Sequence, residues 1–153
     1  WDNHLYENKL IRVENNIYSW SQFLTKDDLP ASNPPWGYIA KINLTSGNLE
    51  WKKSIGKKLI NNKLVETGST IFGGVALNKS GILFVTGTSD NFVYGIDSDS
   101  GKELWNYEME ASGSAPPILY EIDGRQYLSI ISTGGAYNDY KEKGSTIYTF
   151  GIN

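Results

Sequence analysis

An all-β fold of repeated antiparallel sheets is predicted by three observations. The segment Phe92 to Trp105, FVYGIDSDSGKELW, runs as a strand into a tight acidic turn closed by Gly101 and returns to end on a large aromatic. The same pattern stands 54 positions earlier as Tyr38 to Trp51, YIAKINLTSGNLEW, and begins again 56 positions later as Tyr148 to Asn153, YTFGIN. The composition agrees, with 5 tryptophans, 10 tyrosines, 5 phenylalanines and 16 glycines, as short strands joined by tight turns require. A repeat of about 50 residues marks stacked supersecondary units such as the blades of a β-propeller.

Bulk properties exclude several functions. The 153 residues suit one domain, and 14 lysines and arginines against 17 acids give a net charge of −3. No basic stripe is present to neutralise a phosphate backbone, so nucleic acid is excluded as a partner. No apolar run approaches the roughly 20 residues that span a bilayer. Cysteine is absent, which removes disulfides and thiolate metal sites. The chain opens on Trp1 without a signal segment, so a piece of a longer protein is expected.

Taken in order, residues 1–16 are polar, without sustained period. Ile17 to Leu24 has strand composition, and the prolines and acids of 25–35 make a loop. Trp36 to Asn43 and Leu49 to Ile55 form a hairpin around LTSG. Gly56 to Phe72 is polar and reads as a long loop. Gly73 to Leu77 is a small-residue inner strand, and Ile82 to Thr86 is an apolar run buried on both faces. The opening stretch follows, and Glu103 to Met109 closes a four-stranded unit. After the short link Ala111 to Ala115, Pro117 to Ile122 and Gln126 to Thr133 flank the Asp123-Gly124 hairpin signal. A loop then leads to a last strand, Ser145 to Ile152. The expected organisation is a single partial propeller domain: 1–56 an incomplete first blade, 57–110 a complete blade, and 111–153 a last blade lacking its outer strand.

Labelling the strands of a blade A to D from axis to rim separates the connections. The A-to-B turns (NKSG, IDGR) and C-to-D turns (LTSG, SDSG) are all tight. Every long connection runs from D to A or from B to C. In a sequential antiparallel blade these sets lie at opposite ends, so one end is scaffold and the other carries irregular loops, where binding residues concentrate.

Individual motifs have competing readings. Asp97 to Gly101, DSDSG, resembles the start of a calcium loop but lacks the closing glutamate and helical flanks, so it reads as a turn. Trp51 and Trp105 fall at matching places in the repeat, which points to packing between blades. His4 is the only histidine and lies in the least patterned segment. Asp27, Asp28, Asp139 and Glu142 are loop acids of the kind that are usually solvated. Gly73-Gly74 and Gly134-Gly135 either let the backbone approach a ligand or permit a bend. The sequons at Asn43 and Asn78 carry little without a secretory context.

Three runs carry a family resemblance: Pro34 to Gly56 (PPWGYIAKINLTSGNLEWKKSIG), Thr67 to Trp105 (TGSTIFGGVALNKSGILFVTGTSDNFVYGIDSDSGKELW) and Ala115 to Gly135 (APPILYEIDGRQYLSIISTGG). The chain resembles the C-terminal part of a quinoprotein dehydrogenase, an eight-bladed propeller that uses pyrroloquinoline quinone (PQQ), and above all the membrane-bound glucose dehydrogenase type. Each blade motif alone also occurs in non-enzymatic relatives.

The resemblance implies a parent enzyme that oxidises a glucose-like aldose or an alcohol with PQQ and calcium and passes electrons to a quinone or cytochrome. It implies a periplasmic location, with membrane contact only through other parts of the parent. The family's catalytic aspartate, metal ligands and stacking tryptophan belong to earlier blades, so no catalytic or metal residue is assigned here, and neither cofactor is expected to be held by this chain alone. The cofactor-facing residues it implies are Thr70, Phe72, Gly73, Gly74, Gly134, Gly135 and Ala136, with Ser112 to Ala115 between them. Ser69-Thr70-Ile71-Phe72 and Ala136 stand where many relatives have an asparagine-containing run and glucose-type members a histidine, so substrate choice does not carry over. Expected partners are the remaining blades or a second copy. The alternative is a non-catalytic propeller of the same superfamily acting as a protein-binding scaffold.

Overall fold

The computed structural model describes residues 6–7, 21–27, 29–135 and 142–152, all of them in strands, turns and loops. Two short strands, β1 (Tyr6–Glu7) and β2 (Ser21–Gln22), pair antiparallel. The first repeat is a hairpin of β3 (Tyr38–Ile42) and β4 (Leu49–Ser54). The second is a four-stranded sheet of β7 (Ile71–Leu77), β8 (Ile82–Thr88), β9 (Phe92–Asp97) and β10 (Glu103–Glu108), each strand paired with the next. The third sheet holds β11 (Ile118–Ile122), β12 (Arg125–Gly134) and β13 (Lys143–Ile152) in sequence order. The architecture is a partial β-propeller.

Two expectations need correction. Gly56 to Phe72 is not one long loop, because it contains a small hairpin of β5 (Lys58–Ile60) and β6 (Lys63–Val65). Asn61 and Asn62 join them with φ of 51° and 61°, the left-handed pair that a two-residue hairpin turn requires and that asparagine tolerates. The inner strand of the second blade also begins at Ile71 rather than Gly73, with a bulge between Ile71 and Gly74.

The core lies between sheets. Alternate residues of β8 and β9 point to opposite neighbours, which is why these strands read as nearly continuous apolar runs. Val85, Tyr94 and Ile96 pack with Ile55 from the first repeat. Phe84, Val93 and Met109 pack with Leu128 and Ile130 from the third. The repeat is visible in its turns. Asn43 Oδ1 accepts from the amides of Thr45 and Ser46, Asp97 Oδ1 accepts from the amide and hydroxyl of Ser100, and Gly47 and Gly101 both close their turns at φ 71°. The DSDSG carboxylate of Asp97 is thus a turn cap.

Both repeated tryptophans pack between blades. Trp51 lies against Gly101 of the next blade and donates its indole N–H to the Ser98 carbonyl at 3.1 Å. Trp105 meets Phe84 of its own blade edge-on at 6.4 Å and Phe150 of the next at 5.1 Å. A cavity of about 290 Å³ remains beside it, lined by apolar side chains including Ile82, Leu128 and Ile152. At the first junction, beside Trp51, Lys41 adds an ion pair to Asp99 of the second blade at 2.9 Å.

Candidate functional site

The two ends of the blades differ as the connection lengths predict. At one end the A-to-B and C-to-D turns of the second blade meet, the Ser98 amide donating to the Gly81 carbonyl at 2.8 Å. At the other end the B-to-C turns and D-to-A links meet. There the Lys57 amide donates to Asp90 Oδ2 at 2.7 Å, and the Gly134 amide donates to the Ser112 carbonyl at 2.9 Å.

Asp90 organises the loop end of the second blade, and sequence reasoning did not single it out. Its carboxylate also accepts from Thr88 Oγ1 at 2.6 Å, from the Phe92 amide at 3.2 Å and from the Tyr94 hydroxyl. Tyr94 is buried, and that desolvation, reinforced by the Asp90 charge, pushes its phenol above the usual tyrosine range. It remains a neutral donor. The signal available in sequence was only Thr88-Ser89-Asp90-Asn91, a turn-forming tetrapeptide; the partner at Lys57 lies 33 residues away.

The link between the second and third blades is bonded on both flanks by buried hydroxyls. Thr86 Oγ1 donates to the Ala115 carbonyl at 3.0 Å, Ser112 Oγ to the Thr88 carbonyl at 2.9 Å, and Ser132 Oγ to the Ala111 carbonyl at 2.7 Å. Thr86, Ser112 and Ser132 are at most 1% exposed, so each leaves water for a single good acceptor. This arrangement replaces side-chain bulk between blades with short polar rungs, which lets the backbones approach closely.

That approach explains the paired glycines in part. A Cβ at Gly73 would stand 2.5 Å from the Gly113 carbonyl oxygen and from Thr86 backbone atoms, and one at Gly74 would stand 3.1 Å from the Pro116 ring. Gly134 takes φ 68° at the bulge that ends β12, its Cα facing the Glu142 carbonyl. The missing side chains therefore admit neighbouring backbone, the structural one of the two readings open from sequence. Through Gly113, Ser112 and Ser114 the two glycine pairs become neighbours of one link. Thr70 precedes β7 and Phe72 is its second residue, both at the same end and half-buried. Gly135 is half-buried as well, and Ala136, with His4, Asp28 and Asp139, lies outside the described residues.

These residues supply hydroxyl and backbone donors. Among the described residues no three of His, Cys, Asp or Glu cluster to share a metal ion, and no helix is long and apolar enough to cross a membrane.

A PQQ family model described as "Glucose/ethanol/alcohol dehydrogenase, beta-propeller domain" matches residues 5–128. The chain belongs to this family. The PQQ-propeller chain is 35% identical over 120 residues to quinoprotein glucose dehydrogenase A of Acinetobacter calcoaceticus, covering 74% of this chain and 15% of that protein. It is 32% identical over 120 residues to the quinoprotein glucose dehydrogenase of Escherichia coli K12, with the same shares. Among solved structures, quinohemoprotein alcohol dehydrogenase from Comamonas testosteroni superposes with a TM-score of 0.61 at 23% identity, over 82% of this chain and 18% of that one. That likeness concerns the fold. The chain spans about 15% of the length of the two curated glucose dehydrogenases.

Proposed function

We propose that this chain forms three neighbouring blades of a PQQ-dependent dehydrogenase that oxidises a glucose-like aldose or an alcohol. The observation that carries the reading is the coincidence of the family match with a loop-bearing end at which Gly73-Gly74 and Gly134 flank one link and near which Thr70 and Phe72 stand at the start of β7. Thr70, Phe72, Gly73, Gly74, Gly134, Gly135 and Ala136 form one arc of the wall around the cofactor, offering backbone and hydroxyl donors and the Phe72 ring. The remaining blades supply the carboxylate base and the ligands of a calcium ion. PQQ, when bound, supplies the two-electron acceptor for hydride leaving the substrate carbon. Electrons then pass to a quinone or a cytochrome, and the protein works in the periplasm.

Reconstituting the full-length protein with PQQ and calcium and following dye reduction over a panel of aldoses and alcohols tests this. Substrate-dependent reduction that requires added PQQ is the expected result. Failure to reduce dye with every member of the panel, together with failure to bind PQQ, would overturn it in favour of a scaffold role.

A further inference from the structure

The hydroxyls at the second blade junction differ in what they hold. Those of Thr86, Ser112 and Ser132 are buried and bond the link to the interiors of the two flanking sheets. Ser114 is half-buried, and its hydroxyl donates to the carbonyl of Gly134, the last residue of β12. The amide of Gly134 donates back to the Ser112 carbonyl at 2.9 Å. Gly134 is thus gripped at both its peptide groups by one short stretch of the link.

The grip adds to the β12–β13 pairing of Gly134 with Lys143 and to a longer bond, 3.3 Å, from Thr133 Oγ1 to the same carbonyl, and its two bonds tie Gly134 to the link. Gly134 has no side chain to pack, its φ of 68° belongs to the left-handed region, and its Cα lies against the Glu142 carbonyl, where no larger residue fits. The same link packs on its other flank against Gly73 and Gly74. A change in the Ser114 bond therefore alters the spacing between the two glycine pairs.

We propose that Ser114 is a positioning residue: its bond to Gly134 sets the spacing of the Gly134-Gly135 backbone from Gly73-Gly74, and so the shape of the cofactor wall. This rests on the reading given under Proposed function.

The test uses the full-length protein with Ser114→Ala, Ser114→Thr and, as a packing control, Ser132→Ala. Three quantities are read: the PQQ dissociation constant by fluorescence titration, amide exchange at Gly134 and Gly135 without cofactor, and the melting temperature. Ser114→Ala is expected to weaken PQQ binding about 3- to 10-fold, the scale of one lost neutral hydrogen bond, and to speed exchange at both glycines with little change in melting temperature. Ser114→Thr restores both. Ser132→Ala lowers the melting temperature instead, because it removes the buried hydroxyl that bonds both the amide and the carbonyl of Ala111. Wild-type binding and exchange in Ser114→Ala, or a change in melting temperature alone, would overturn the role of Ser114 while leaving the proposed function standing. A wild-type protein that binds no PQQ would overturn both.

Discussion

Single residues at the junctions carry measurable parts of the stability. Trp51→Phe keeps most of the ring against Gly101 but removes the indole donor to Ser98. A loss of about 1 kcal/mol is expected, read as a fall of roughly 2–4 °C in melting temperature. Asp90→Asn retains shape but takes the charge from an acceptor of four hydrogen bonds, including those joining Lys57 and Tyr94. Its cost should reach about 2 kcal/mol in chemical denaturation. Tyr94 adds a pH dependence whose sign follows from its raised phenol. The unfolded chain ionises at an ordinary tyrosine pKa of about 10 while the folded phenol stays protonated, so this contribution is intact below pH 10 and lost above it. Melting temperature should fall between pH 9.5 and 11 by roughly the unfolded-state ionisation, and Tyr94→Phe should flatten that fall.

At the scale of elements, legibility tracked how local the determinants were. The hairpins of Tyr38 to Trp51 and Phe92 to Trp105 could be read because period-two alternation and an Asx-to-Gly turn lie within 14 contiguous positions. The hairpin β5–β6 was missed because Lys58, Lys63 and the two asparagines dilute its alternation, although Asn61-Asn62 was a usable signal. The grip of Asp90 on Lys57 and of Ser114 on Gly134 could not be read, since each joins segments 20 or more residues apart. Two variants test these assignments. Asn62→Val forces a β-branched residue to φ 61° and should cost about 1 kcal/mol, whereas Asn62→Gly should be neutral or stabilising. Gly73→Ala places a methyl 2.5 Å from backbone atoms of Gly113 and Thr86 and should cost about 1–3 kcal/mol, because no flexible side chain is there to yield.

For the molecule as a whole, the repeat implies that each sheet needs a neighbour on both faces. The second blade has two and its β8 and β9 are buried throughout most of their length. The third exposes Ile118, Tyr120, Ile122 and Ile147, the last at 67%, and its edge strand β13 runs for ten residues. The first exposes Tyr38, Ile42 and Leu49. Apolar area and an open edge of this kind drive association. The isolated chain should therefore bind the dye ANS and sediment as more than a monomer. A dye-silent monomer would mean that these faces are covered within the chain.

The proposed function requires that the loop-bearing end, and not the end with tight turns, faces the cofactor. It is tested most directly by PQQ titration of the full-length protein carrying Thr70→Trp or Ser46→Trp. Thr70 stands before β7 at the loop end, and Ser46 is exposed in the tight turn between β3 and β4 at the other. Thr70→Trp should weaken PQQ binding at least about tenfold, a steric loss of roughly 1.4 kcal/mol or more, while Ser46→Trp leaves it unchanged. Equal affinities for both variants and the wild type would contradict the account.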